Sequence, residues 1–315
     1  MKNYLSSKDI PSLTALVDEA IALKQHPFAF EQLGKRKTLA MLFFNPSLRT
    51  RLSTQKAALN LGMHVIVMNV ANDGWVLEFE DGAIMEGSTA EHVREAAMVI
   101  SQYCDVLAIR AFAGLKDRQD DYSEKVIAAF VKYATVPVIS LESATGHPLQ
   151  ALADAITIKE YQKVNRPKVV LTWAPHPRAL PQAVANSFVE FIKQTEAELV
   201  VTHPEGYELD PDIMNEVTIE YDQKKAFLGA DFIYAKNWSS FTEYGQILTI
   251  DKKWMVTGEK MKLTRNAKFM HCLPVRRNVV VADEVLDNEN SIVIPQANNR
   301  TYAAQIVLKK ILENG

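Results

Sequence analysis

The sequence predicts an α/β protein built on parallel β-sheets. Short apolar runs, typical of buried strands, alternate with longer amphipathic stretches, typical of helices, along most of the 315 residues. This is the pattern of βαβ units, in which helices cover both faces of a parallel sheet. A chain of this length usually forms two domains or one large one.

The first half of the chain contains four predicted strands. A helical pattern from Ser7 to about Lys24 precedes them, with its apolar residues on one face. The predicted strands cover 38–44, 64–70, 106–111 and 136–141, and the helices between them cover 51–62, 89–103 and 123–134.

The second half repeats this alternation after a long helical pattern at 149–161. We place a domain boundary within 145–165, and residues 239–266 show no readable pattern. The predicted strands cover 168–173, 198–202, 217–221, 232–235, 269–273 and 291–295, and the predicted helices cover 181–193 and 297–312.

The composition disfavours several classes of protein. A net charge of −3 provides no basic surface for nucleic acid, and no apolar run approaches the length of a membrane span. The N-terminus lacks the apolar segment of a signal peptide. Two cysteines, Cys104 and Cys272, cannot form a disulfide framework or a cysteine-only metal site. We therefore expect a cytoplasmic protein with no nucleic-acid or membrane partner.

Residues 47–51 mark the point where the first predicted strand is followed by a helix. The free N–H groups and the positive dipole end of a helix start favour an anion. Ser47 and Thr50 add hydroxyls, and Arg49 and Arg51 add guanidiniums, so the segment suits a phosphate dianion. The alternative is a helix that Ser47 simply caps, with solvated arginines.

Other polar residues also follow predicted strands, where open α/β sheets bind ligands. His147 and Gln150 lie three residues apart at a helix start, and with Arg110 they would polarise a carbonyl oxygen. Taken alone, His147 is better explained as a hydrogen-bonding residue at a helix start. The segments that follow the predicted strands are 45–51, 71–75, Arg110, 142–150, 174–178, 236–238, 271–277 and 296–300.

Other residues at predicted strand ends each allow two interpretations. Cys272 is either a reactive group beside the substrates or a buried strand-end cysteine. Lys236 ends an apolar strand and meets either water or a carboxylate. His176 and Arg178 form either an anion-facing loop or a solvated one. No metal-ligand spacing and no glycine-rich nucleotide loop occurs, so neither a metal nor another cofactor is expected.

Three motifs in this order resemble the carbamoyltransferases: Ser-x-Arg-Thr-Arg at 47–51, His-Pro-Leu-Gln at 147–150 and His-Cys-Leu-Pro at 271–274. The resemblance spans nearly the whole chain. It implies that carbamoyl phosphate is a substrate, and that Arg110, His147, Gln150 and Cys272 are the catalytic residues. Its implied binding residues are Ser47, Leu48, Arg49, Thr50, Arg51, Trp75, Arg110, His147, Gln150, Cys272, Leu273 and Arg300.

The resemblance also implies an architecture of two doubly wound parallel-sheet domains joined by two helices. The first domain would cover 1–145, with the C-terminal helix 297–315 packing back on it, and would bind carbamoyl phosphate. The second domain would cover 146–296, bind the acceptor and be knotted. Family members are commonly trimers with active sites shared between subunits, so a homotrimer is expected, with Trp75 reaching a neighbouring site.

The acceptor is predicted from residues that depart from ornithine carbamoyltransferases. Those enzymes carry an Asp-x-x-x-Ser-Met-Gly segment for a free α-amino group, whereas this chain has Lys236 and no Ser-Met-Gly. A lysine would repel an α-ammonium, so an N-acylated ornithine is favoured. The resemblance to that branch implies a set of acyl-ornithine contacts: Glu142 at the δ-amine, and His176, Arg178, Lys236, Arg276 and Ala90.

The acyl group is predicted from two positions. N-acetylornithine enzymes carry a glutamate at the position of Ala90 and a modified lysine at that of Val280, whereas N-succinylornithine enzymes carry proline and valine. Val280 matches the second group, and Ala90 matches neither. We therefore favour N-succinylornithine, with N-acetylornithine as the alternative because Glu91 could restore a negative charge. A non-catalytic sensor of anionic metabolites is the alternative of another class.

Overall fold

The computed structural model describes residues 1–314 and divides into two compact units. One comprises Met1–Leu149 and the C-terminal segment from Arg300, and the other comprises Gln150–Asn299. Both boundaries fall inside helices, and they differ by a few residues from the predicted limits. The predicted fold class, α/β with parallel sheets in two domains, is confirmed.

The strands and helices of the described residues are numbered here in chain order. The strands are β1 Thr38–Phe43, β2 His64–Asn69, β3 Leu77–Glu78, β4 Glu91–His92, β5 Val106–Arg110, β6 Val138–Glu142, β7 Lys168–Trp173, β8 Glu198–Thr202, β9 Thr218–Glu220, β10 Phe232–Lys236 and β11 Lys268–Met270. The α-helices are α1 Leu13–Gln25, α2 Leu48–Asn60, α3 Val70–Asp73, α4 Val93–Ile100, α5 Arg118–Tyr122, α6 Lys125–Tyr133, α7 Pro148–Tyr161, α8 Ala183–Ile192, α9 Pro211–Met214, α10 Gln223–Phe227, α11 Gly258–Met261, α12 Asp283–Leu286 and α13 Val293–Leu312.

The sheet of the first unit has the strand order β2-β1-β5-β6, and all its pairings are parallel. Strand β5 is buried along its whole length, as expected for a strand covered on both faces. The register pairs Phe43 with Arg110 and Arg110 with Glu142. The carboxyl ends of β1, β5 and β6 therefore end level with one another.

The C-terminal half of α13 belongs to the first unit. The buried Gln305 side chain donates a hydrogen bond to the carbonyl of Pro27 at 2.6 Å and accepts one from Asn60 at 2.9 Å. On the surface, Lys310 Nζ lies 2.6 Å from a carboxylate oxygen of Glu19. These contacts hold the helix against α1 and α2.

The sheet of the second unit has the strand order β11-β10-β7-β8-β9, again with parallel pairings. On one face of this sheet, Trp173 of β7 and Tyr234 of β10 belong to a buried apolar cluster with Phe188 of α8. The other face packs on a separate cluster that includes Phe227 and Phe269. Two covered faces explain why β7 and β10 read as continuous apolar runs.

The strand β4 lies inside the helix predicted at 89–103, the strand predicted at 269–273 ends at Met270, and two further elements differ more clearly. The strand expected at 291–295 is wrong, because Ser291 makes only an isolated bridge to Phe269 and α13 already begins at Val293. The helix expected from Ser7 is interrupted, because a short 3₁₀ turn at Ser7–Asp9 ends before Ile10, and α1 starts at Leu13. A residue that precedes proline, as Ile10 does, is disfavoured in a helix.

The unreadable segment 239–266 is largely irregular and is held by a buried lysine. Lys260 Nζ donates to the carbonyl of Met255 at 2.8 Å, and it also contacts the carbonyl of Lys253 and the side-chain oxygen of Gln223. Burial lowers the pKa of Lys260 to about 8. Among residues 1–314, none of the helices combines the length and the apolar character that a membrane span requires.

Candidate active site

The start of α2 has the geometry of an anion site. Ser47 is its N-cap, with extended backbone angles, and its Oγ accepts the N–H of Thr50 at 3.3 Å. Arg49 is half-buried, and Arg51 is exposed. Ser47 therefore caps this helix. It is also compatible with anion binding, because a cap uses only part of the donors at a helix start.

Arg300 brings another guanidinium to this helix start. Its Nη2 donates to Thr50 Oγ1 at 2.5 Å, and both side chains are buried within the first unit. A buried guanidinium needs hydrogen-bonding partners, because burying a charge without them is costly. Both residues belong to the predicted carbamoyl phosphate set, and this contact joins their side chains. Their roles toward a ligand remain predictions.

Arg110, Glu142 and His147 form a buried cluster at the ends of β5 and β6. Arg110 Nη1 pairs with Glu142 Oε2, and His147 Nε2 lies 3.3 Å from the same oxygen. The three residues are 6%, 6% and 3% exposed. The Arg110 guanidinium also lies 4.2 Å from the ring centre of Phe112. Two donors from different segments thus converge on a single oxygen atom.

Glu124 positions the segment between Glu142 and His147, and sequence reasoning missed it. Its carboxylate accepts hydrogen bonds from Ser143 Oγ at 2.6 Å, the N–H of Thr145 at 2.8 Å, the N–H of Ala144 at 3.2 Å, and Thr145 Oγ1. Glu124 has φ +52°, a conformation that costs energy for a residue with a side chain. No local motif reveals this role, because about twenty residues separate the partners.

Trp75 and Ala90 lie beside the small parallel strand pair β3–β4, since Trp75 shortly precedes β3 and Ala90 directly precedes β4. The Trp75 ring N–H donates to Glu91 Oε2 at 2.9 Å, and the Ala90 N–H donates to the Val76 carbonyl at 3.0 Å. Trp75 is 58% exposed, and Ala90 is exposed. The Glu91 carboxylate, which complicated the prediction of the acyl group, is therefore engaged with Trp75.

In the second unit, His176 and Arg276 are brought together although one hundred residues separate them in the chain. Arg276 Nε donates to His176 Nε2 at 3.0 Å, so Nδ1 carries the imidazole proton and donates to the Arg178 carbonyl at 2.9 Å. Burial lowers the pKa of His176, and the charges of Arg276, Lys236 and Arg178 lower it further. Lys236, half-buried, ends β10.

Two predicted segments of the second unit are connected to a buried carboxylate, Asp154. Gln150 Nε2 and Gln296 Nε2 each donate to Asp154 Oδ1 at 2.7 Å, and Gln296 Oε1 accepts the His271 N–H at 2.9 Å. Cys272 and Leu273 follow His271 and are half-buried. Asp154 was missed from sequence, although its i+4 spacing from Gln150 on a helix was a readable signal.

Comparison with known families agrees with both units. The model described as the carbamoyl-P binding domain of aspartate/ornithine carbamoyltransferase matches residues 2–160. The model described as the Asp/Orn binding domain of the same family matches residues 181–311.

Individual relatives match along their whole length. The N-succinylornithine carbamoyltransferase of Bacteroides fragilis (strain 638R) is 54% identical over 316 residues, which cover 100% of this chain and 99% of that protein. The N-acetylornithine carbamoyltransferase of Xanthomonas axonopodis pv. citri (strain 306) is 35% identical over 331 residues, covering 98% of this chain and 96% of that protein.

A solved structure provides the third comparison. It is an N-acetyl-L-ornithine transcarbamylase variant with one glutamate replaced by alanine, complexed with carbamyl phosphate and N-succinyl-L-norvaline. It matches with a TM-score of 0.92 at 34% identity and covers 99% of this chain and 100% of that chain. The chain thus belongs to the aspartate/ornithine carbamoyltransferase family, as its three motifs predicted, and it groups there with the enzymes of N-acylornithines.

Proposed function

We propose that this carbamoyltransferase moves the carbamoyl group of carbamoyl phosphate to the δ-amine of N-succinyl-L-ornithine. The products are N-succinyl-L-citrulline and phosphate, in arginine biosynthesis. The observation that carries the reaction type is the convergence of Arg110 and His147 on one oxygen of Glu142. The same donors suit a carbonyl oxygen that becomes negative in the transition state, with Gln150 as a third donor.

The helix start at Ser47 is the proposed phosphate site. Its N–H groups, Thr50 and the guanidiniums of Arg49 and Arg51 offer the charge-assisted hydrogen bonds that a phosphate dianion needs. As the bond to the leaving phosphate breaks, its negative charge grows, and these groups stabilise it more strongly than they stabilise the substrate. The contact between Arg300 and Thr50 supports this assignment, because it keeps the threonine hydroxyl at the helix start.

The proposed transfer step is direct attack by the neutral δ-amine on the carbonyl carbon. A C–N bond forms, the C–O bond to phosphate breaks, and the amine proton leaves with the phosphate. Glu142 would hold the amine N–H groups, because a carboxylate only accepts hydrogen bonds at neutral pH. Cys272 would lie beside the reacting groups without a covalent role.

The acyl-ornithine would bind to four residues of the second unit: His176, Arg178, Lys236 and Arg276. N-succinylornithine carries two carboxylates and no α-ammonium, which suits a group of cationic side chains around a neutral histidine. The relative at 54% identity acts on N-succinylornithine by its name, whereas the one named for N-acetylornithine is 35% identical. Both facts favour the succinyl form.

Ala90 and Val280 are the proposed determinants of the acyl group. Val280 is a buried apolar residue and offers no lysine charge at its position. The solved variant with a glutamate replaced by alanine binds N-succinyl-L-norvaline. We take that glutamate to be the counterpart of Ala90, whose small neutral side chain would then admit the succinyl carboxylate. The neighbouring Glu91 carboxylate accepts the hydrogen bond of the Trp75 ring N–H.

The test is phosphate release from carbamoyl phosphate with ornithine, N-acetylornithine and N-succinylornithine assayed in parallel. We expect turnover with N-succinylornithine to exceed that with N-acetylornithine and to be absent with ornithine. A preference for N-acetylornithine would overturn the choice of acceptor. Binding of carbamoyl phosphate without turnover on any acceptor would instead indicate a sensor of anionic metabolites.

We also propose a cytoplasmic homotrimer with active sites shared between subunits. The exposed Trp75 supports the sharing, because a large aromatic side chain outside the core is available to a neighbouring subunit. Light scattering should give three times the chain mass of 35.4 kDa. A stable monomer with full activity would contradict the trimer.

A further inference from the structure

Glu124 is bonded to the loop between β6 and α7. This loop is closed on itself, because the Ser143 N–H donates to the Gly146 carbonyl at 2.7 Å. The Glu124 carboxylate accepts four further hydrogen bonds from it. Oε1 accepts from Ser143 Oγ, the Thr145 N–H and Thr145 Oγ1, and Oε2 accepts from the Ala144 N–H. One side chain thus holds three consecutive residues of the loop.

The conformation of the β6–α7 loop decides where the His147 imidazole lies. Glu142, the last residue of β6, is held by the strand and by its pair with Arg110. His147 is held differently, because it is the last residue of the loop and directly precedes α7. Its Nε2 lies 3.3 Å from Glu142 Oε2, and both side chains are buried. A change in the loop would therefore move the imidazole relative to the other residues of the buried cluster.

The backbone of Glu124 shows that a glutamate at this position has an energetic cost. Its φ of +52° lies in the left-handed region, where glycine is favoured and a residue with a side chain is strained. Glu124 is the N-cap of α6, but its side chain makes no capping hydrogen bond to that helix. Neither the backbone conformation nor the helix start accounts for a carboxylate here, whereas its hydrogen bonds to the β6–α7 loop do.

A second carboxylate anchors the corner between α5 and α6 in which Glu124 lies. Asp121 of α5 is buried, and its two oxygens accept the N–H groups of Gly114 at 2.7 Å and of Leu115 at 2.8 Å. These two residues belong to the segment after β5, the strand that ends at Arg110. The corner is therefore bonded to the segments that follow both β5 and β6, and these contacts restrain Glu124 itself.

We propose that Glu124 is a positioning residue for carbamoyl transfer and acts through His147. Its carboxylate holds the β6–α7 loop in the conformation that places the imidazole beside the carbonyl oxygen of carbamoyl phosphate. Glu124 contacts the loop and no substrate. This inference rests on the proposed function, and it adds to that function a group outside the substrate sites on which the placement of His147 depends.

The test is Glu124→Gly, with kcat/KM for carbamoyl transfer and Tm measured together. Glycine removes the carboxylate and readily adopts a φ of +52°, so the relieved backbone offsets part of the lost hydrogen bonds and the variant should fold. Misplacing a catalytic group by an ångström costs up to about 100-fold in rate, so kcat/KM should fall roughly 10- to 100-fold. In the His147→Ala background, which has no imidazole to misplace, the same substitution should cost less than about threefold.

Two further variants separate positioning from a structural role. Glu124→Gln keeps Oε1 and its hydrogen bonds from Ser143 and Thr145. It should retain kcat/KM to within about fivefold, the equivalent of one lost hydrogen bond. Asp105→Ala is the matched control at the amino ends of the same strands, where the Asp105 carboxylate accepts the Thr38 N–H at 2.8 Å. We expect it to lower Tm and to leave kcat/KM unchanged to within about twofold.

The outcomes are distinct. If Glu124→Gly lowers kcat/KM by equal factors with and without His147, or leaves it unchanged, the positioning role is wrong. It is also wrong if Asp105→Ala reduces kcat/KM as strongly as Glu124→Gly does. If the glycine variant does not fold, Glu124→Asn takes its place in the cycle, because asparagine tolerates the left-handed conformation. Wild-type protein that transfers no carbamoyl group to any acceptor contradicts the proposed function rather than the role of Glu124.

Discussion

The substitution Ala90→Glu tests the proposed basis of acceptor choice directly. Ala90 is exposed, its N–H is bonded to the Val76 carbonyl, and its side chain is a single methyl group. A longer side chain at this position displaces no core residue, so the fold and the β3–β4 pair should persist. The added carboxylate would face the succinyl carboxylate of the acceptor, whereas an acetyl group has no charge for it to repel.

The size of the effect follows from Coulomb's law. Two unit charges roughly 6 Å apart repel by about 1–3 kcal/mol for effective dielectric constants between about 80 and 20. The exposure of Ala90 favours the lower half of that range. Because 1.4 kcal/mol corresponds to a tenfold change, kcat/KM for N-succinylornithine should fall about 5- to 30-fold. The value for N-acetylornithine should change by less than about threefold on the same scale.

The assay compares kcat/KM for the two acceptors at low and high salt, with Ala90→Gln as the control for size. The glutamine variant should keep the ratio of the wild-type protein, and added salt should weaken discrimination in the glutamate variant. Equal effects of Gln and Glu would show that bulk, not charge, decides the acceptor. An unchanged ratio in Ala90→Glu would remove Ala90 from the site altogether.

Three other predictions concern the two units separately. Arg49→Ala should lower kcat by about 10²–10³ at an unchanged Tm. Near-normal carbamoyl phosphate affinity in this variant would contradict the phosphate site. Cys272→Ser should reduce activity without abolishing it, and a carbamoylated Cys272 detected by mass spectrometry would contradict direct transfer. An NMR titration should find the His176 pKa below 6.5, rising in Arg276→Ala. Because unfolding restores the ordinary pKa, this histidine should reduce stability as pH falls below about 6.5.

Most of the fold could be predicted from the sequence. Parallel strands that are buried on both faces appear as continuous apolar runs, which are easy to recognise. Strands β1, β7 and β8 lie where they were predicted, to within a residue. The prediction was wrong where a short β-branched run, Ile292 to Ile294, begins a helix instead of forming a strand. Neither the length of this run nor its flanking residues distinguishes a strand from a helix start, because short apolar runs occur in both kinds of element.

The site was predictable to the extent that its residues follow strands. Because open α/β sheets bind ligands at the carboxyl ends of their strands, the sequence pointed to Arg110 and His147, and the fold brings both to Oε2 of Glu142. It could not find Glu124, because this residue starts a helix and its partners depend on the path of a distant loop. Residues that orient catalytic groups leave no motif of their own when their partners are backbone N–H groups.

The proposed catalytic cluster is buried, whereas the residue proposed to select the acceptor is exposed. Arg110, Glu142 and His147 are buried and share one oxygen, so replacing any of them would leave a partner unsatisfied in the interior. Ala90 is exposed, and exchanging it disturbs no such network. Under the proposed role of Ala90, selection on the acceptor would act there at little cost in stability. A protein that is only 34% identical accordingly keeps the same fold, with a TM-score of 0.92, and one glutamate-to-alanine exchange in it is compatible with a bound succinyl ligand.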